Sequence, residues 1–222
     1  MKINSELISL IQFPDPLLSN DEGLVAVGGE LSSEVILSAY LQGIFPWFNI
    51  EDPILWWSPN PRLIMFPKDF KCSKSLNKIV ESNIFDIRID YDFKSVIEAC
   101  SKVTRNDQEG TWITQDIINA YEGLFKLGYA HSVECYRNGK LVGGLYGLCL
   151  GKVFCGESMF YYESNASKVA FYYLVAHLQK KGFELIDAQV PTEHLKSLGA
   201  KEFNRVEFIN LLKKHINLDK RW

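Results

Sequence analysis

Three side chains in the C-terminal half have the types and spacing to do chemistry: Glu157, Asp187 and Gln189. Glu157 stands in FCGESMF (154–160), among apolar, strand-forming residues. A carboxylate in such a place costs free energy unless it has partners. Asp187 and Gln189 stand two apart in LIDAQV (185–190). Alternate residues of a strand share a face, so an acid and an amide project together. Carboxylates suit proton transfer, whereas an amide is far too weak a base for that work and suits positioning. Metal chemistry is not expected. The four histidines (131, 177, 194, 215) show no His-x-x-x-His spacing, and the five cysteines (72, 100, 135, 149, 155) no Cys-x-x-Cys.

A sheet must bring these segments together. HSVECYR (131–137) and residues 140–148 flank Asn138-Gly139, which supplies the positive φ angles of a type I′ turn and so predicts a hairpin. A second short turn over 149–152 returns the chain through 153–159, giving three antiparallel strands that end at Cys155-Gly156-Glu157-Ser158-Met159. Gly143, Gly144, Gly147, Gly151 and Gly156 strip side chains from this sheet, a mark of bulges or of close approach by a ligand. A long helix over 165–181 follows, with Val169, Ala170, Tyr173, Leu174, His177 and Leu178 on its inner face. Residues 184–190 make a further strand, Pro191 starts a helix, and 208–216 form a last amphipathic helix before the basic Lys220-Arg221.

Upstream, Ser32 or Ser33, Ser73, Asp92 and Thr114 stand where helix N-caps belong. Phe85, Ile87 and Ile89 alternate with charged residues as in a half-buried strand, and 104–110 read as a polar loop. Three tryptophans within eleven residues (Trp47, Trp56, Trp57), set among prolines, form no periodic element; they read either as a packed seam or as flat surfaces on which a base could stack. Residues 1–61 carry eight acids against Lys2 alone, a balance of −7 that leaves +4 for the rest of a chain of net charge −3. The sign changes near 60–65, which divides the chain into 1–61 and 62–222. Arg62, Lys68, Lys71, Lys74 and Lys78 face only Asp69 in the run just after that point, and this run is the best candidate for phosphate contact. Scattered cysteines in odd number argue for reduced thiols and the cytoplasm. No stretch has the ~18 apolar residues of a membrane span.

The order of elements resembles the N-acetyltransferase-like fold, in which two neighbouring strands splay to admit an acyl donor and an amine. The acyl-CoA members carry a glycine-rich loop at the start of the long helix to hold a pyrophosphate. Here that segment is FYYESNASK (160–168), without glycine, so coenzyme A is disfavoured as donor. A closer resemblance rests on GIFPWF (43–48), WWSPNPR (56–62), GTWIT (110–114), HSVE (131–134), LVGGLYG (141–147), FCGESMF (154–160), NASK (165–168), LIDAQV (185–190) and HLKSLGA (194–200). Together, over nearly the whole chain, they look like the leucyl/phenylalanyl-tRNA–protein transferase family.

That resemblance implies an α+β chain, with a small N-terminal domain packed on an N-acetyltransferase-like C-terminal domain whose sheet is mostly antiparallel. It implies an enzyme that moves leucine or phenylalanine, and methionine less well, from aminoacyl-tRNA to proteins beginning with arginine or lysine, marking them for degradation. No metal or cofactor is implied, and the chain is expected to act as a monomer. Asp187 and Gln189 match the pair given the proton-accepting role, with Glu157 in support. Leu145, Phe154, Met159, Leu174, Leu178 and Ile186 match an apolar side-chain pocket, and Ser158 stands beside Met159 in the same motif. Trp47 and Trp112 match the pair holding the terminal adenosine and aminoacyl group, with Tyr40 and Tyr121 near them. His131 and His194 read as structural. Arg62, Lys68, Lys71 and Lys74 are the expected tRNA contacts. An acyl-CoA N-acetyltransferase and a non-catalytic tRNA-binding module stay open as alternatives.

Overall fold

The computed structural model describes residues 11–20, 22–103, 111–216, 218 and 222. The expected loop at 104–110 and the basic pair Lys220-Arg221 lie outside them. A seven-stranded sheet forms the body, in the order β10-β4-β9-β8-β7-β6-β5. Its strands are β4 (Arg62–Met65), β5 (Asp86–Ile89), β6 (Ala130–Arg137), β7 (Lys140–Leu150), β8 (Val153–Tyr161), β9 (Leu185–Gln189) and β10 (Lys201–Phe203). All neighbours run antiparallel except β8 and β9. Asn138 and Gly139 turn β6 into β7 at φ 50° and 74°, as the type I′ signal requires. A small second sheet, β1-β3-β2, joins β1 (Leu24–Val27), β2 (Phe45–Pro46) and β3 (Leu55–Trp57). Trp57 is thus in a strand, and Trp56 is packed there in the core with its indole N–H bonded to the Gly28 carbonyl at 2.8 Å; two of the three tryptophans belong to a short strand where the sequence showed no periodic element.

Helices cover both faces. On one lie α1 (Ser33–Leu41), α3 (Phe93–Ser101), α4 (Gln115–Lys126) and α7 (Arg205–His215), whose Ile36, Val96, Ile117 and Phe208 share a core with Tyr146 and Leu148 of β7. On the other, α5 (Ala166–Lys180) and α2 (Lys74–Glu81) pack Val169, Leu174, Leu178 and Leu76 against Val133, Leu145 and Ile186. Ser32, Ser73, Asp92 and Thr114 each accept an N–H from the first turn of α1, α2, α3 and α4. The short α6 (Glu193–Ser197) is capped by Thr192, one residue past Pro191. α7 begins earlier than its apolar face, because Asn204 and Glu207 form a capping box. No described helix is long and apolar enough to cross a membrane.

The parallel pairing of β8 and β9 is short. Val153, Phe154 and Cys155 pair with Leu185, Ile186 and Asp187, and beyond that point the strands part. Two bulges mark the parting. In β8, Ser158 pairs with Tyr146 and Gly156 with Gly147, so Glu157 is the extra residue. In β9, Asp187 pairs with Ile64 and Gln189 with Leu63, so Ala188 is extra. A bulge releases a residue from the ladder and re-aims the side chains around it. This α+β body has the long crossover helix and the opening between two neighbouring strands expected of the N-acetyltransferase-like fold.

Candidate active site

The parted strands open into a cavity of about 420 Å³, in the range of small-molecule sites. Leu145, Phe154, Met159, Phe171, Leu174 and Ile186 make its apolar part, and Gly156, Glu157, Ser158, Ala188 and Gln189 edge it on the two strands. Trp47 and Trp112 stand in the same lining; Trp47 is 38% exposed and Trp112 buried. The Trp47 backbone carbonyl accepts the Trp57 indole N–H at 2.6 Å, which ties the rim to the small sheet.

Glu157 is the centre of the polar end. Its Oε1 accepts the Tyr40 hydroxyl at 2.7 Å and the Gln189 Nε2–H at 3.1 Å, and its Oε2 accepts the Tyr121 hydroxyl at 3.0 Å. The two tyrosine hydroxyls lie 3.0 Å apart. Burial pushes the Glu157 carboxyl up from its ordinary range to about 7. The Tyr40 and Tyr121 hydrogen bonds oppose the rise and the charge of Asp187 adds to it. Burial likewise holds both tyrosine hydroxyls well above their ordinary range, with the Glu157 charge adding to it, so they remain donors to the carboxylate.

Asp187 lies behind this cluster and not in the cavity. Its two oxygens take the Nε–H and Nη2–H of Arg62 at 2.8 and 2.7 Å, and both side chains are buried. Its Oδ1 also accepts the Gln189 backbone N–H at 3.0 Å. Gln189 holds φ at 63°, a left-handed value uncommon for a side-chain-bearing residue and a marker of local constraint.

Several expected contacts are placed differently. Arg62, expected on the tRNA surface, has no exposure at all and neutralises Asp187; a basic run does not reveal a partner 125 positions away. Leu178 belongs to the core under α5 and does not line the cavity. Tyr40 and Tyr121, expected near Trp47 and Trp112, share a core cluster with Trp112, donate to Glu157 and do not themselves line the cavity. His131 is structural as expected, with Nδ1 at 2.8 Å from Asp90 Oδ2 and its ring stacked on Trp222. His194 is not enclosed: it is exposed at the cavity lining, on α6. Phe45, Phe171, Ala188 and Leu195 also line the cavity, and sequence reasoning passed over them because apolar residues of these elements look like core. Lys68, Lys71 and Lys74 lie on the stretch between β4 and the first turn of α2; Lys68, Lys71 and Lys74 are all exposed.

A family model described as leucyl/phenylalanyl-tRNA protein transferase matches residues 64–213, and the model of that transferase's N-terminal domain matches residues 29–60. The leucyl/phenylalanyl-tRNA–protein transferase of Syntrophobacter fumaroxidans is 50% identical, over 97% of this chain and 90% of its own. That of Nitrosospira multiformis is 52% identical, over 92% and 88%. Among solved structures, a GCN5-related N-acetyltransferase from Kribbella flavida is similar at a TM-score of 0.39 and 9% identity, over 74% of this chain and 58% of that one. With two family models and relatives of this identity covering nearly its whole length, the chain belongs to the leucyl/phenylalanyl-tRNA–protein transferase family, and it is a transferase.

Proposed function

We propose that the protein transfers leucine or phenylalanine, and methionine less readily, from aminoacyl-tRNA to the α-amine of proteins beginning with arginine or lysine, and that the added residue marks those proteins for degradation. The observation that carries this reading is the union of two features in one opening. An apolar cavity of amino-acid size ends at Glu157 and Gln189, hydrogen-bonded to each other from the two parted strands.

The donor is an ester and is already activated, so neither a nucleophile of the protein nor a cofactor is required. The acceptor amine has a reference pKa of about 7.7–8.0 and enters largely as ammonium. It must lose a proton to attack. Glu157, pushed up to about 7 by burial, is matched to that task near neutral pH. Gln189 orients the cluster through its amide. Asp187, already neutralised by Arg62, is not available as the base. The first proton passes through Glu157 to solvent; the neutral amine nitrogen then bonds to the ester carbonyl carbon, the ionised Glu157 takes a second proton from that nitrogen, the bond to the ribose oxygen breaks, and this second proton leaves with that oxygen. Trp47 and Trp112 offer flat faces for the terminal adenosine of the donor, where base–aromatic stacking is worth about 1–3 kcal/mol per base.

The test offers labelled leucyl-tRNA and labelled acetyl-CoA separately, with a peptide beginning in arginine. Label is expected on the peptide from leucyl-tRNA alone. The same peptide with its α-amine acetylated should stay unlabelled. Label from acetyl-CoA would favour the acetyltransferase reading, and label from neither a binding module.

A further inference from the structure

The transfer reaction leaves two of the most deeply buried polar residues without a direct task. Arg62 and Asp187 are 0% and 1% exposed, and neither lines the cavity. Their geometry is specific. The guanidinium makes two directed bonds to the carboxylate, at 2.8 and 2.7 Å. Two aromatic rings lie against it, Phe45 at 4.8 Å and Phe208 at 4.4 Å from the guanidinium carbon to the ring centre. Phe45 itself lines the cavity. The carboxylate oxygen that takes Arg62 Nε–H also takes the Gln189 backbone N–H at 3.0 Å, just where β9 bulges and Gln189 turns to φ 63°. From that backbone the Gln189 amide reaches Glu157 at 3.1 Å.

We infer that Arg62 is a positioning residue for the transfer step: by orienting Asp187 it holds the Gln189 backbone in the left-handed conformation that aims the amide at Glu157. The inference rests on the transfer reading and adds a residue to it. Stability alone does not call for such a pair, because buried ion pairs are often replaceable by apolar residues with no loss of stability. What an apolar pair cannot supply is an acceptor for the Gln189 N–H. Lysine at 62 would keep the charge but lose the planar fork and the stacking on Phe45 and Phe208.

The experiment uses the full chain, with charged tRNA and an arginine-starting peptide at saturation. Two variants are compared with the parent, Arg62→Lys and the double change Arg62→Met with Asp187→Leu, and thermal unfolding is followed in parallel. The apolar pair is expected to unfold near the parent temperature yet to lose kcat by about 10²-fold, the cost of a misplacement on the order of 1 Å, while the KM for charged tRNA changes little. Arg62→Lys should lose kcat in the same direction. Its effect should largely vanish in a Gln189→Ala background, because both changes break one linkage. A folded apolar pair with near-parental kcat would overturn the inference. So would an Arg62→Lys loss that adds in full to that of Gln189→Ala. Failure of both variants to fold would assign the pair to stability alone and overturn it as well. If the parent chain itself transfers nothing, the transfer reading fails, and the two failures are thereby told apart.

Discussion

Asp187 shows how burial changes what a side chain can do. On its sequence alone it is a strand carboxylate beside an amide, an obvious source of charge for proton transfer. Its carboxylate is in fact bound by Arg62 through two short hydrogen bonds, and both partners are out of solvent. Asp187→Asn therefore does more than remove a charge, because it strands a guanidinium against two phenylalanines. Breaking a buried pair from one side costs about 3–5 kcal/mol, and that cost should appear in denaturant unfolding along with any fall in rate. Met159 tests a different wall of the site. It lines the apolar part of the cavity. Met159→Ala should enlarge the space and reduce leucine transfer more than phenylalanine transfer, by about tenfold or more, since a methylene of fit is worth about 1–3 kcal/mol. Competition between the two charged tRNAs measures this ratio; an equal reduction for both would make Met159 a core residue.

Among the elements, β7 and β8 matter most, because their bulge at Glu157 is built on missing side chains. A Cβ at Gly147 would run into the Cys155 carbonyl and the Phe154 ring. The carbonyl is backbone and cannot turn away, and Phe154 is itself part of the cavity wall. Gly147→Ala is thus expected to destabilise the protein by about 1–3 kcal/mol and to weaken leucine transfer beyond that, as checked by unfolding midpoints beside rates per folded molecule. Much of this region was legible in the sequence. Asn138-Gly139 announced the hairpin, the strand glycines the bulge, and four polar caps the starts of α1 to α4. β2, β3, β4 and β10 were not legible, because these two to four residues show no alternation of apolar and charged side chains such as marks β5. The Arg62–Asp187 pair was hidden for another reason: it joins residues far apart in the chain, and a strand arginine looks like any surface cation until its partner is in place. Leu178 and Leu174 show the limit from the other side. Both face inward from α5, yet only Leu174 reaches the cavity, a distinction that helical spacing cannot draw.

At the scale of the whole molecule, the charge asymmetry has a use if the donor is a nucleic acid. Lys68, Lys71 and Lys74 are exposed together on the stretch leading from β4 into α2. Neutralising all three should weaken binding to charged tRNA and reduce its salt dependence by about one unit of slope for each phosphate that is no longer neutralised. Turnover of a short aminoacyl-adenosine donor should be spared, and an unchanged slope would move the tRNA surface elsewhere. In the opening between β8 and β9, Glu157, its carboxyl pushed up to about 7 by burial, is proposed to take the proton of the acceptor amine. Single-turnover transfer of labelled leucine from leucyl-tRNA to a saturating arginine-starting peptide, followed from about pH 6 to about pH 9 in the parent and in Glu157→Gln, tests it most directly. The ionised carboxylate is the active form, so the parental rate should climb through about pH 7 as Glu157 loses its proton. The variant should bind charged tRNA normally, lose the climb through about pH 7 and keep only the rise near about pH 8 that follows the acceptor amine, and run about 10²–10⁴-fold slower. A folded Glu157→Gln protein with the parental rate and pH profile would contradict the account.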